Sequence, residues 1–155
     1  MKHVCLLWVA FMFLFTACTE NTKQEPNLTP VDYVNPYMGN ISHLLVPTYP
    51  TVHLPNSMLR VYPERSDYTG DLLHGLPLII TSHRGSSAFN LSPHQGELKE
   101  SVVNYSYDQE IIKPYYYEVF LDEEQIEVKY APSHQAALYQ LRFTHKDRPA
   151  YLLLN

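Results

Sequence analysis

Of the eight histidines in the chain, seven (His43, His53, His74, His83, His94, His134 and His145) lie beyond residue 18. None is spaced as HxH or HExxH, the patterns that bring two imidazoles onto one metal. A histidine without such a neighbour is expected at the surface or hydrogen-bonded in a loop. One stretch stands apart, Ser82-His83-Arg84-Gly85. It follows an apolar run, and an imidazole beside a guanidinium at a strand end can clasp hydroxyls or a carboxylate. Acidic groups concentrate at Asp122-Glu123-Glu124. Glycoside hydrolysis needs two carboxylates flanking one bond, with the environment pushing their pKa values apart. These three fall in an expected hairpin turn and read as a solvated face. The chain has no GxSxG, P-loop or GxGxxG. Residue chemistry alone therefore shows no catalytic centre and no metal site.

The elements that must position any site are short and rich in β-formers. Leu76 to Thr81 is a compact apolar run expected as a buried strand, while Phe89 to Gln95 is expected to be short and extended at most. Met58 to Tyr62 alternates as a short strand-like run, and Val102 to Tyr107 alternates late. Tyr115 to Leu121 places Tyr115, Tyr117, Val119 and Leu121 on one face, and Ile126 to Tyr130 alternates again across the polar turn 122–125, which predicts a hairpin. Ala136 to Phe143 and Ala150 to Leu154 are expected to form a second hairpin. No segment has a strong helical period. Short strands separated by turns predict an all-β fold, an antiparallel β-sandwich. The stretch from Asp32 to Pro63 is broken by Pro36, Pro47, Pro50 and Pro55, so it is not a helix. It is too apolar for a loose linker, and is expected to lie pinned across the folded surface.

A net charge of −5, from 16 acidic against 11 basic residues, argues against a nucleic-acid partner. The 13 tyrosines suit surfaces that meet mixed polar and apolar faces, sugars included, although tyrosines also pack well on strands. Lys2 and His3 precede an unbroken apolar run from Val4 to Phe15, too short to span a bilayer, and the run leads into Thr16-Ala17-Cys18. Small residues before a cysteine resemble the lipobox of bacterial lipoproteins. That resemblance implies a signal peptide over 1–17, lipidation of Cys18, and a lipid anchor to the cell envelope, periplasmic or at the outer-membrane surface. Cys5 would leave with the signal, so the mature body would hold no thiol free for a disulfide or a metal. Residues 18–31 read as a polar tether, and 32–155 as the domain. Its end, an apolar strand at Tyr151 to Leu154 followed only by Asn155, suggests a domain incomplete at its C-terminus.

Val34-Asn35-Pro36-Tyr37-Met38-Gly39-Asn40 resembles the opening of glycoside hydrolase family 92, the calcium-dependent exo-α-mannosidases. The Pro-rich loop that follows is similar too, in Tyr49-Pro50, then Pro55-Asn56-Ser57-Met58, then Pro63, though the family commonly has Pro-Phe-Gly-Met at the middle position. Glu110 and Pro114 to Leu121 resemble a further family strand, and Ile126 to Tyr130 the next. The resemblance implies an N-terminal β-sandwich. It also implies a second domain, an (α/α)6 barrel, that holds the catalytic acid and base and the calcium ligands and acts on mannose-containing glycans. None of that barrel is in this chain, which alone is expected to be inactive. By the same resemblance Tyr37, Gly39, Asn40, Tyr49, His83 and Arg84 are expected near the sugar or at the interface with the missing catalytic domain. The alternative is a non-catalytic glycan-binding surface lipoprotein.

Overall fold

The computed structural model describes residues 27–38, 50–62, 64–65, 72–80, 87–100 and 104–155. Among them are a 3-10 turn, Pro30–Tyr33, and ten strands: β1 (Val52–His53), β2 (Arg60–Val61), β3 (Leu72–His74), β4 (Leu76–Ile80), β5 (Ser87–Gln95), β6 (Asn104–Lys113), β7 (Tyr116–Leu121), β8 (Ile126–Pro132), β9 (Ala137–Phe143) and β10 (Ala150–Leu154). They form a five-stranded sheet in the order β3-β6-β7-β8-β9, a three-stranded sheet in the order β10-β5-β4, and the pair β1-β2. Every pairing among these strands is antiparallel. The all-β sandwich expected from the short alternating strands is the observed architecture.

One core joins the sheets. Tyr117, Val119 and Leu121 of β7 and Ile126, Val128 and Tyr130 of β8 point inward with Leu73, Tyr105 and Ile112; Leu76 and Leu91 meet them from the three-stranded sheet, and Val52 and Val61 from the small pair. Burying each Val, Leu or Ile side chain of this kind contributes about 1.5–3 kcal/mol. The alternation is what makes this possible, because a strand sends successive side chains to opposite faces. The β7–β8 hairpin forms as its sequence predicts, across the turn 122–125, with Gln125 at φ +53° absorbing the reversal.

Four expectations are corrected. The second hairpin does not form: β9 pairs with β8, while β10 crosses to β5, with Ala150 opposite Gln95 and Leu154 opposite Leu91. The connection is held on its way by the Gln95 side chain, which donates to the His145 carbonyl at 2.8 Å, and by the Gly96 N–H, which donates to the Pro149 carbonyl at 3.0 Å. Phe89 to Gln95, expected as short and extended at most, belongs to a nine-residue strand at the centre of its sheet. Pro93 and His94 lower its strand signal, but pairing on both sides overrides local preference. His94 is not at the surface: it is fully buried, stacked on Tyr151 at 5.3 Å, and its Nε2 accepts the Lys99 N–H at 3.1 Å. Glu124 is not solvated. It is buried, accepts the Gln95 N–H at 3.1 Å and pairs with the Lys99 ammonium, which ties the β7–β8 turn to β5.

The two larger sheets are linked directly at Gly75, the single residue between β3 and β4. Its φ of +72° lies in the left-handed region, and a Cβ there would stand 3.2 Å from Ser92 Oγ. Gly75→Ala is therefore expected to destabilise the fold by about 1–2 kcal/mol, read as a lower urea midpoint at unchanged m-value; an unchanged midpoint would show that the corner tolerates a side chain.

Candidate functional site

The Asn-Pro-Tyr-Met segment folds as a tight turn. Pro36 supplies the fixed φ of its second position, the Met38 N–H donates to the Asn35 carbonyl at 3.1 Å, and the Asn35 side-chain oxygen accepts the Tyr37 N–H at 3.0 Å. This local geometry holds Tyr37 so that its hydroxyl donates to Glu110 Oε2 at 3.2 Å, 73 residues along the chain.

Glu110 is a hub. Arg65 Nη2 donates to both of its oxygens at 2.7 Å, and the Tyr117 hydroxyl donates to Oε1 at 3.2 Å. The Arg65 and Glu110 side chains are only 6% and 10% exposed, so the pair is desolvated. The Arg65 guanidinium also lies over the Tyr107 ring, 5.2 Å from its centroid. A bulge in β6 aims the carboxylate. The pairing with β7 jumps from Asp108 to Ile111, with Gln109 at φ +54°, so Glu110 leaves the regular ladder. Arg65 is carried by a backbone bridge to Leu73 of β3, the neighbour of β6.

The electrostatics follow from this packing. Burial, and then the Glu110 charge, push the Tyr37 and Tyr117 phenols well above the usual tyrosine range, so both remain donors. Burial alone would lower Arg65, but the adjoining Glu110 carboxylate outweighs it and holds the guanidinium above its ordinary value. A carboxylate with four donor contacts has its lone pairs engaged. It is built to hold groups in place rather than to shuttle a proton.

Beside this hub the 3-10 turn docks on the same strand. Thr29 and Asp32 cap each other, the Thr29 N–H donating to Asp32 Oδ2 at 2.9 Å, and Asp32 Oδ1 meets the Lys113 ammonium at 3.2 Å. The Thr29 hydrogen bonds, with Lys113 behind them, lower the Asp32 carboxyl from 3.8 to about 2. Further along, the Met58 N–H donates to the His134 carbonyl at 2.9 Å, and the Ser57 hydroxyl contacts the Ser133 and His134 carbonyls. The described parts of the Pro-rich stretch are thus pinned at both ends, as expected.

Of the residues expected at the site, Tyr37 is placed on the hub. Gly39, Asn40, Tyr49, His83, Arg84 and the lipidation candidate Cys18 lie outside the described residues. Sequence reasoning placed Glu110 in a family-like strand and Tyr117 on a strand face, and assigned neither of them, nor Arg65 or Tyr107, to the site. Glu110 carries a signal in hindsight, a carboxylate directly before the apolar pair Ile111-Ile112. Among the described residues no group of three or more His, Cys, Asp or Glu side chains gathers as metal ligands would. The calcium ligands that the resemblance implies belong to the second domain and not to these residues.

The model of the glycosyl hydrolase family 92 N-terminal domain matches residues 33–155. The chain belongs to this family. A solved structure, the family GH92 inverting mannosidase BT2199 from Bacteroides thetaiotaomicron VPI-5482, is similar to it, with a TM-score of 0.65 and 27% identity over 80% of this chain. The chain covers 19% of the length of that enzyme's chain. No curated protein matches it. Within the family 92 domain, the Asn-Pro-Tyr signature has a physical reading: it is the turn that delivers Tyr37 to Glu110.

Two outcomes test the hub. Glu110→Ala strands a buried guanidinium and is expected to cost about 3–5 kcal/mol, whereas Tyr37→Phe, losing one hydrogen bond, costs about 0.5–1.5 kcal/mol; equal losses in urea melts would contradict the assignment of Glu110 as the centre. For Asp32 the folded pKa is depressed, so its contribution is present above the ordinary 3.8 and is lost as pH falls through about 2. An NMR titration of the Asp32 carboxyl should show that low midpoint, and a midpoint at the ordinary value would mean the turn is undocked in solution.

Proposed function

We propose that the chain is the N-terminal, carbohydrate-binding or accessory β-sandwich of an α-mannosidase acting on the α-mannosides of glycans. In this reading it lends loops to a substrate pocket, while the acid and the base of an inverting hydrolysis lie on a barrel domain outside the chain. Gly39 and Asn40 continue from the clamped turn, and with Tyr49, His83 and Arg84 they would form the near edge of that pocket. A guanidinium, an imidazole and an amide there would hold sugar hydroxyls rather than break bonds. Calcium would be held by the other domain. The envelope location and the anchor at Cys18 belong to the same proposal and rest on the lipobox-like sequence.

The observation that carries the reading is the clamp on Tyr37. The Asn35–Met38 turn rests through Tyr37 on a buried ion pair, which suits a loop that must keep its shape at a binding edge. The chain alone is expected to release no product from an aryl α-mannoside with calcium present, and clear turnover would remove the accessory role. In an enzyme carrying this domain together with its barrel, Asn40→Ala is expected to raise KM about tenfold with kcat less affected; an unchanged KM would remove the pocket role.

A further inference from the structure

The outer face of the five-stranded sheet carries a second arrangement of groups. On β7, Tyr116, Glu118 and Phe120 alternate with the buried Tyr117, Val119 and Leu121, so they face away from the core and from the Glu110 hub. Phe120 stands opposite Glu127, and Glu118 opposite Lys129; Glu127 is in turn opposite Arg142 of β9. Beside the β6 bulge this face dips into a hollow of about 290 Å³ lined by Gln109, Glu118, Val119, Phe120 and Glu127.

The groups around the hollow are held in place. Lys129 Nζ lies 3.3 Å from Glu118 and 2.8 Å from Glu127, and Arg142 Nη1 lies 3.2 Å from the other Glu127 oxygen. The second Glu118 oxygen accepts the Tyr116 hydroxyl. The hydrogen bond from Lys129 keeps the Glu127 carboxyl below its ordinary value, so it remains an acceptor. Each carboxylate oxygen can accept a second hydrogen bond beyond the one described. Lys129 and Arg142 balance Glu118 and Glu127, and the exposed Asp108, opposite Phe120, leaves the face slightly negative, which disfavours an anion. What it does offer is an aromatic side chain, fixed acceptors and the Gln109 amide, which both donates and accepts.

We propose that this hollow binds one neutral pyranose ring of a glycan. Its size is at the low end of ligand pockets, which run from about 300 Å³ upward, so it takes a single ring rather than a chain. The apolar C–H face of the ring meets Phe120, and ring hydroxyls donate to Glu118 and Glu127 while Gln109 satisfies a third. No bond is made or broken, and the restraint of the carboxylates by Lys129 reduces the ordering cost of binding. The site lies on the opposite face of β7 from the Tyr37–Glu110 hub, so it stands or falls independently of the pocket-edge reading.

The test is an NMR titration of the full chain with methyl α-D-mannopyranoside and methyl α-D-glucopyranoside, with D-glucuronate as the charged probe. The expected result is saturable binding of at least one neutral glycoside in the millimolar range, with shifts centred on Gln109, Phe120 and Glu127. Phe120→Ala and, separately, Glu118→Ala should each weaken it by about tenfold or more, with far-UV circular dichroism unchanged. Leu138→Ser, at an exposed position elsewhere on β9, should leave it intact. Should Phe120→Ala not fold, the Glu118→Ala result decides. No saturable binding of either neutral glycoside, tighter binding of glucuronate, or shifts centred away from the β7–β8 face would overturn the proposal.

Discussion

Glu110 is a carboxylate that folding has taken out of water, and its surroundings are arranged around that fact. A desolvated charge is tolerable only when paired and hydrogen-bonded. Arg65 supplies the opposite charge through both carboxylate oxygens, and two phenols supply the remaining donors. These three partners and Glu110 itself come from four separate parts of the chain. Satisfying one carboxylate therefore fixes the Asn35–Met38 turn, the segment before β3, the β6 bulge and the β7 strand relative to one another. The pair need not add stability over an apolar filling; what it supplies is a defined position for each element that reaches it.

A second buried carboxylate works in the same way. Glu124, in the β7–β8 turn, takes the Gln95 N–H and the Lys99 ammonium, and so joins the five-stranded sheet to the three-stranded one. The apolar core has a non-directional attraction that holds the sheets together without choosing their exact register. The polar contacts make that choice. The same division explains the two faces of β7. Its inward residues build the core and touch Glu110, while its outward residues, with charged groups of β8 and β9, form a polar surface around Phe120. One strand thereby supports two potential contact regions that cannot interfere, because the sheet separates them.

Much of this was legible in residue order. The β7–β8 hairpin follows from strict alternation on either side of a four-residue polar turn, both of them local features. The all-β class follows from short alternating runs and the lack of a helical period. The ordered Pro-Tyr signatures pointed to family 92, which the match over residues 33–155 shows. Other features were not legible. Asp122-Glu123-Glu124 looks like a solvated acid cluster, and a carboxylate carries no mark of burial until its partner is known. Arg65 is 45 residues from Glu110, and Lys99 is 25 from Glu124.

The amino-acid sequence by itself determined the all-β class, the strands and apolar faces of the β7–β8 hairpin, and the turn between them. Those are decided within a few residues by side-chain period and by proline and glycine. Only the tertiary structure decided that β10 joins β5 rather than β9, that His94 and Glu124 are interior, and that Tyr37 rests on Glu110. Each of these depends on a partner far away in the chain. The physical reason is that strand edges, charges and hydroxyls are satisfied by whatever the fold brings beside them, and that juxtaposition exists only once the two sheets have closed on a common core.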